Sequence, residues 1–197
     1  HFHFTDESYP PALFRKLTHG LIDSKMGIAW TTHMRFEKSL LEDQVWQDAK
    51  ASGCKYLHFG YESGNERVLK LMDKATTTEI MTKHLKYTAE AGIWNHCMGF
   101  FGFPGETREE AWSSVEFLEQ NKDYVHSLGF GTFDLGRHNP VAKHPEKFGV
   151  TAYKNPEWDL ALDYYFTVKQ GLSIEEAERG FEEFERNHNP GWDLRLF

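Results

Sequence analysis

The sequence predicts an α/β fold: a partial (β/α) barrel of about five parallel strands with outer helices, followed by a helical C-terminal tail. Two observations carry this. Apolar strand-like runs alternate with amphipathic helical patterns at intervals of roughly 30–40 residues, the spacing of βα units. And the stretches that look chemical, Asp6-Glu7, Arg35, Glu62-Ser63 and Gly102–Glu106, each fall just after a predicted strand, where parallel α/β folds place their ligands.

The first strand is Phe2–Phe4, alternating with His1 and His3 and closed by Thr5-Asp6-Glu7-Ser8. Pro10-Pro11 opens a helix with Leu13, Leu17, Leu21 and Ile22 on one face. Ile28–Thr32 is the second strand, with Trp30 and Ala29 inward. Ser39 is a candidate cap for the next helix, which carries Leu41, Val45 and Ala49 and stops at Gly53. Lys55–Gly60 is the third strand. Val68, Leu69, Leu71 and Met72 form a short helix, and Thr76 with Glu79 has capping-box spacing for the next. Ile93–Phe101 is the fourth strand. It runs into Gly102-Phe103-Pro104-Gly105, a tight turn, and Thr107 caps the helix that follows with Glu109 and Glu110 in its first turn. Leu128–Leu135 is a fifth strand. Past the prolines 140, 145 and 156, Leu160–Lys169 and Ile174–Asn187 read as helices. The predicted division is residues 1–150 as the barrel and 151–197 as the helical extension.

Composition narrows the function. The chain has 197 residues, is 40% hydrophobic and 26% charged, and suits one core-bearing domain. A net charge of −8 argues against a general nucleic-acid surface. No apolar run approaches the roughly 20 residues of a membrane span, and no signal peptide is expected from the pattern. The two cysteines, Cys54 and Cys97, form no local framework, so a reducing, cytoplasmic setting is expected. The chain opens inside a strand pattern, which suggests a fragment or excised domain.

Three stretches resemble the core domain of the radical S-adenosylmethionine superfamily, in the branch often associated with a cobalamin-binding domain. They are Phe2–Ser8; Ala51–Leu69, containing Gly60-Tyr61-Glu62-Ser63-Gly64-Asn65, with Met72-Asp73-Lys74 behind it; and Phe100–Thr107, Phe-Phe-Gly-Phe-Pro-Gly-Glu-Thr. Their order and spacing match too, as does Trp30–Arg35. The resemblance covers about residues 2–150. It implies S-adenosylmethionine and a [4Fe-4S] cluster as cofactors, and radical chemistry in which the protein positions the reactants. It also implies a cofactor rim. Asp6 and Glu7 would meet the methionyl ammonium, Arg35 a carboxylate or substrate anion, and Glu62 and Ser63 the ribose or methionyl end. Gly102, Pro104 and Gly105 would lie near the adenine.

The cluster motif CxxxCxxC is absent, and Cys54 and Cys97 cannot replace it, because a cluster needs several converging thiolates. The sequence therefore predicts a chain that lacks the first βα unit, binds no cluster, and is inactive alone. Cobalamin would enter through an upstream domain, and the substrate, small molecule or peptide, is open. The Phe2–Phe4 strand becomes an exposed edge, expected to pair with another copy or to be covered by the tail. Each site residue also has a plain structural reading: helix-terminal charge for Asp6 and Glu7, a surface ion pair for Arg35, helix capping for Ser63, core packing for Phe101 and Phe103, and a capping charge for Glu106. Two other functional classes fit parts of the sequence. One is a metal-dependent barrel hydrolase using His1, His3, His33, His58 and His96. The other is a non-catalytic interaction module displaying the acidic helix Glu175–Glu185.

Overall fold

The computed structural model describes the chain except for residues 7, 154–159, 161 and 189–197. Five parallel strands, β1 (Phe2–Phe4), β2 (Trp30–Met34), β3 (Cys54–Glu62), β4 (Trp94–Phe101) and β5 (Ser127–Thr132), lie side by side in chain order. Helices α1 (Pro11–Ser24), α2 (Asp43–Ala51), α3 (Glu66–Leu71), α4 (Thr78–Glu90) and α5 (Arg108–Gln120) connect them. Parallel pairing forces every strand end onto the same edge of the sheet.

The helix-covered face is the core. Trp30 is fully buried, with Phe14 of α1 edge-on at 6.1 Å, and its indole N–H donates to the Ser52 carbonyl. Phe59, Tyr61, Cys97 and Phe101 continue this face across β3 and β4. The α1 stripe is narrower than the leucine spacing predicts. Phe14 and Thr18 point inward, while Leu13 and Ile22 are exposed, because α1 covers the short edge strand and meets the core only along the Trp30–Trp46 aromatic seam.

Two capping expectations shift. Ser39 sits in a short 3₁₀ turn, Lys38–Leu40, and α2 starts at Asp43 without a side-chain cap. The cap of α4 is Thr77, accepting from Ile80 N–H, and not Thr76. Thr107 does cap α5, and with Glu110 it makes a complete capping box.

The C-terminal region departs from the all-helical expectation. Asp163–Val168, inside the predicted helix Leu160–Lys169, is a strand. It is the centre of a second, antiparallel sheet, flanked by Leu135–Gly136 and Val150–Tyr153. Labelled in chain order, these three strands are β6 (Leu135–Gly136), β7 (Val150–Tyr153) and β8 (Asp163–Val168); a short helix α6 (Pro140–Lys143) lies between β6 and β7. Phe166 binds this sheet to Phe103, Phe133 and Leu135 in a second apolar cluster. The run Tyr164-Tyr165-Phe166-Thr167-Val168 is aromatic and β-branched, and pairing on both sides decides in favour of strand.

The last helix, α7 (Ile174–His188), packs on β5 and β4 through Ala177 and Phe184. It therefore does not cover β1, which lies at the opposite edge and, among the described residues, pairs only with β2; Phe2 is 56% exposed. No helix among the described residues is long and apolar enough to cross a membrane.

Candidate functional site

β3 ends irregularly. The register with β4 jumps between Gly60 and Glu62, so Tyr61 is extra, a β-bulge at the strand end. Glu62 then takes φ +63, and Ser63 N–H bonds back to the Tyr61 carbonyl at 2.8 Å. That is a γ-turn of the strained, positive-φ kind, in a residue type that rarely adopts it. Among the described residues, the two other non-glycine residues with positive φ, Lys25 and Asp73, are exposed and follow helix ends.

What holds the turn is the segment after it. Ser63 is fully buried, its hydroxyl 3.1 Å from that of Ser114 on α5 and accepting from Asn65 N–H. Gly64 donates to the Ser114 hydroxyl, and a Cβ there would lie 2.5–2.9 Å from Tyr61 Oη, Phe117 Cβ and Ser114 Cα. Asn65, not Ser63, caps α3. Ser63 and Gly64 anchor the loop, and Glu62 is the side chain it presents.

The Glu62 carboxylate folds back over the bare Cα of Gly60, on the face away from the helices, and accepts from Lys74 Nζ at 2.8 Å. Lys74 is placed by the end of α3: Asp73 is left-handed at φ +56, and Lys74 N–H closes onto the Leu69 carbonyl. The pair is half-buried, with 22% of the glutamate side chain and 39% of the lysine side chain exposed. The sequence pattern does not mark Lys74 as a site residue, because it meets Glu62 only through the fold of α3.

The neighbouring strand end carries the Gly102–Gly105 turn. Gly102 and Gly105 have φ +84 and +88. Pro104 is buried, and Phe101 and Phe103 are core residues. Arg67 of α3 makes a bidentate ion pair with Glu110 and donates to the Gly105 carbonyl at 2.6 Å, tying the β3 and β4 rims together. Its guanidinium holds the Glu110 carboxyl below the ordinary glutamate range. Glu106 is fully buried; one carboxylate oxygen accepts Gly102 N–H at 2.6 Å, and it does not cap α5. At the β1 end, Asp6 is exposed and accepts from the Tyr9 hydroxyl at 3.1 Å; Glu7 lies outside the described residues. Arg35, one residue past β2, is exposed. The fold thus brings Asp6, Arg35, Glu62 and the Gly102 turn to one sheet edge. Within it, β3 and β4 are adjacent, and β1 lies two strands from β3.

Four of the five candidate metal-binding histidines also come together. His3, His33, His58 and His96 stand in a row across β1 to β4, neighbouring ring centroids 4.6–5.4 Å apart. Burial, then repulsion by the neighbouring imidazoles, pushes His58 down to about 4, and burial does the same for His96. His96 Nδ1 lies 2.9 Å from the Ser127 hydroxyl, which also accepts from the Trp94 indole. The rings stand side by side, and among the described residues no group of three or more His, Cys, Asp or Glu could hold a metal ion.

The cysteines do not fit a cluster. Cys54 opens β3 at the N-terminal edge, opposite Trp30, while Cys97 is opposite Phe59. Five residues of strand, about 16 Å, separate their levels. Both are fully buried, and burial pushes the Cys54 thiol up to about 12 and Cys97 higher still.

A parallel sheet with helices on one face, an acid on a strained turn, and glycine-rich strand ends on one edge define an α/β ligand-binding domain of partial-barrel type. Comparison with known proteins gives the family. A model of the Radical SAM superfamily matches residues 8–118, more than half the chain. This chain belongs to the Radical SAM superfamily. It is 26% identical over 173 residues to the bacteriochlorophyllide d C-12(1)-methyltransferase of Chlorobaculum tepidum, covering 84% of this chain and 35% of that protein. Its fold is similar to coproporphyrinogen III oxidase (HemN) from Escherichia coli, with TM-score 0.62 and 13% identity, over 92% of this chain and 40% of the other. It is also similar to the radical S-adenosylmethionine methyltransferase TsrM from Kitasatospora setae, in a structure with cobalamin and a [4Fe-4S] cluster bound. There the TM-score is 0.58 and the identity 17%, over 86% of this chain and 34% of the other. The chain spans about a third of the length of these relatives.

Proposed function

We propose that these residues form the S-adenosylmethionine-binding part of a radical SAM enzyme, with Glu62 and Lys74 receiving the methionyl end of the cofactor. The observation that carries this reading is the half-buried Glu62–Lys74 pair on the β3 rim. A carboxylate beside an ammonium matches, charge for charge, the α-ammonium and α-carboxylate of a free amino acid. The strain at Glu62 is the kind that persists where a side chain must be aimed. Asp6 and Glu7 add negative charge toward the ammonium and sulfonium, and Arg35 adds a cation for a carboxylate or substrate anion. Ser63, Gly102, Pro104 and Gly105 act as the frame of the rim, with bare backbone beside the adenine.

The [4Fe-4S] cluster is not assigned to this chain, since Cys54 and Cys97 are buried and far apart. Its ligands would be supplied from outside these 197 residues, and alone they would bind cofactor without turning it over. Methyl transfer, named for the Chlorobaculum relative, is the reaction class to test on the whole protein. Cobalamin, present in the Kitasatospora structure, is the further cofactor to test there. A reducing, cytoplasmic setting suits two free buried thiols.

Titration calorimetry with S-adenosylhomocysteine, which keeps the amino-acid end and needs no cluster, tests the reading. Glu62→Gln and Lys74→Met should each weaken binding by roughly ten- to a hundredfold, the range for a charge-assisted hydrogen bond. No binding to the folded chain, or unchanged affinity in both variants, overturns it.

A further inference from the structure

The Gly102–Gly105 turn is covered from the side opposite Arg67 by the chain entering α7. A Cβ on Gly102 would sit 2.7 Å from Ala177 Cβ. Gly171, at φ +91, lies against the backbone of Gly105 and Glu106, where a Cβ would come 2.6 Å from the Glu106 carbonyl. Leu172 N–H donates to that same carbonyl at 2.8 Å. Ser173 and Glu176 then exchange bonds at the head of α7, so the segment 171–177 is fixed at its helical end and pressed onto the turn by backbone contacts.

Glu106, whose main-chain carbonyl the strap holds, has a fully buried carboxyl. Oε2 accepts Gly102 N–H, and Oε1 has no hydrogen-bond partner among the described residues. The charged groups facing it are few. Arg67 of α3 is committed to Glu110 and the Gly105 carbonyl, and the Glu110 carboxylate of α5 repels a second negative charge. Tyr61 of β3 donates its hydroxyl to the Ser114 carbonyl. Within the strap, Gly171, Leu172, Ser173 and Ala177 bring no charge, while Glu175 and Glu176 are exposed carboxylates at the head of α7, Glu176 accepting Ser173 N–H. An ionised carboxylate would be faced only by the backbone N–H groups of Gly102 and Phe103 in a dry site, with Oε1 unpartnered, and the strap is the element whose lifting would hydrate it.

We propose that Glu106 and the strap 171–177 form a latch on the Gly102–Gly105 turn, closed while Glu106 carries a proton and loosened when it ionises. Glu106 is then a positioning residue: it touches no ligand, and acts through the turn whose Gly102 N–H it holds. Burial is the main cause that raises its carboxyl to about 7, which places the transition in the neutral range. The coupling of the latch to ligand affinity rests on the cofactor reading above; the latch itself does not.

Amide hydrogen exchange across residues 171–177, from pH 5 to 8.5, tests it on the chain as it stands. Once the ordinary base-catalysed rise is divided out, exchange should speed up by a further roughly fifty- to hundredfold, the linkage expected for a carboxyl moving from about 7 when closed to 4.5 when hydrated. Glu106→Gln keeps the acceptor for Gly102 N–H and should abolish that excess. Gly171→Ala should exchange fast at every pH. S-adenosylhomocysteine affinity should fall with rising pH in the native chain and stay flat in Glu106→Gln. An absent excess, or one that survives in Glu106→Gln, overturns the latch. A pH-dependent strap in a chain that binds no S-adenosylhomocysteine overturns the cofactor reading and leaves the latch standing.

Discussion

Replacing His84 by phenylalanine separates what an imidazole does for packing from what it does on titration. The ring is fully buried between α4 and the loop before α2, within 5.4–6.4 Å of the rings of Trp46, Phe36 and Phe59. One nitrogen lies 3.0 Å from the Glu37 carbonyl, so that nitrogen carries the proton. Burial pushes the group down to about 4, outweighing the carbonyl bond that favours the cation. With a folded value below the unfolded 6.5, the neutral form stabilises the fold fully above pH 6.5, and that stability is lost as pH falls through 4. At pH 4.5 the loss is about 2–3 kcal/mol. Phenylalanine fits the aromatic seam and cannot be protonated, but the Glu37 carbonyl loses one of its two donors and keeps only Leu40 N–H at 2.8 Å, a loss of about 0.5–1.5 kcal/mol. The variant should therefore be less stable than the native chain at pH 7 and comparable or better at pH 4.5. Urea unfolding at half-unit pH steps measures the difference. Two curves that stay parallel from pH 7 to 4.5 would refute the reasoning, as would a nuclear magnetic resonance titration placing His84 above 6.

Other consequences are more local. His58 and His96 should show no imidazole titration above about pH 5 in the folded protein, and replacing both with asparagine should flatten a further part of the acid limb of stability. Gly64→Ala should lose about 1–3 kcal/mol by overpacking against Tyr61, Ser114 and Phe117, read from the urea midpoint, and should weaken S-adenosylhomocysteine binding beyond that by displacing the Glu62 turn. Thr107→Ala should lose about 1 kcal/mol with the capping box, and thermal melting would detect a shift of a few degrees. Cys54 and Cys97 should resist a thiol reagent until the chain unfolds, since both are buried and protonated; rapid labelling of the folded protein would contradict the packing.

The parallel sheet was legible because βα spacing and strand-end chemistry depend only on local pattern. Trp30 inward, Thr107 as cap and Gly53 as terminator are of this kind. Misreadings arose where a tertiary partner decides. Leu13 looked buried on helical spacing, but α1 sits over an edge strand with little sheet beneath it. Residues 163–168 looked amphipathic, yet two flanking strands claim their backbone. Within the site, Lys74 was readable only as the end of a familiar stretch. Its Asp73 left-handed turn is what swings it toward Glu62, and aspartate ahead of lysine at a helix end was the available signal.

The rim divides its labour in a way that residue types alone conceal. In Glu62-Ser63-Gly64-Asn65, each polar group looks equally able to meet a ligand. The structure gives three of the four to the protein: Ser63 and Gly64 bond Ser114, and Asn65 caps α3. In Gly102–Glu106 the same holds, with the Gly102 N–H on Glu106 and the Gly105 carbonyl on Arg67. A strained γ-turn needs such anchoring, because a left-handed glutamate would relax if its neighbours were free. Ser114 therefore anchors the turn that presents Glu62, though it lies on a helix 52 positions away in sequence. Ser114→Ala removes the partner of both the Ser63 hydroxyl and Gly64 N–H while leaving every rim side chain in place. It should weaken S-adenosylhomocysteine binding severalfold with Lys74 and Glu62 intact. Full affinity in that variant would mean that Glu62 holds its conformation without the anchor.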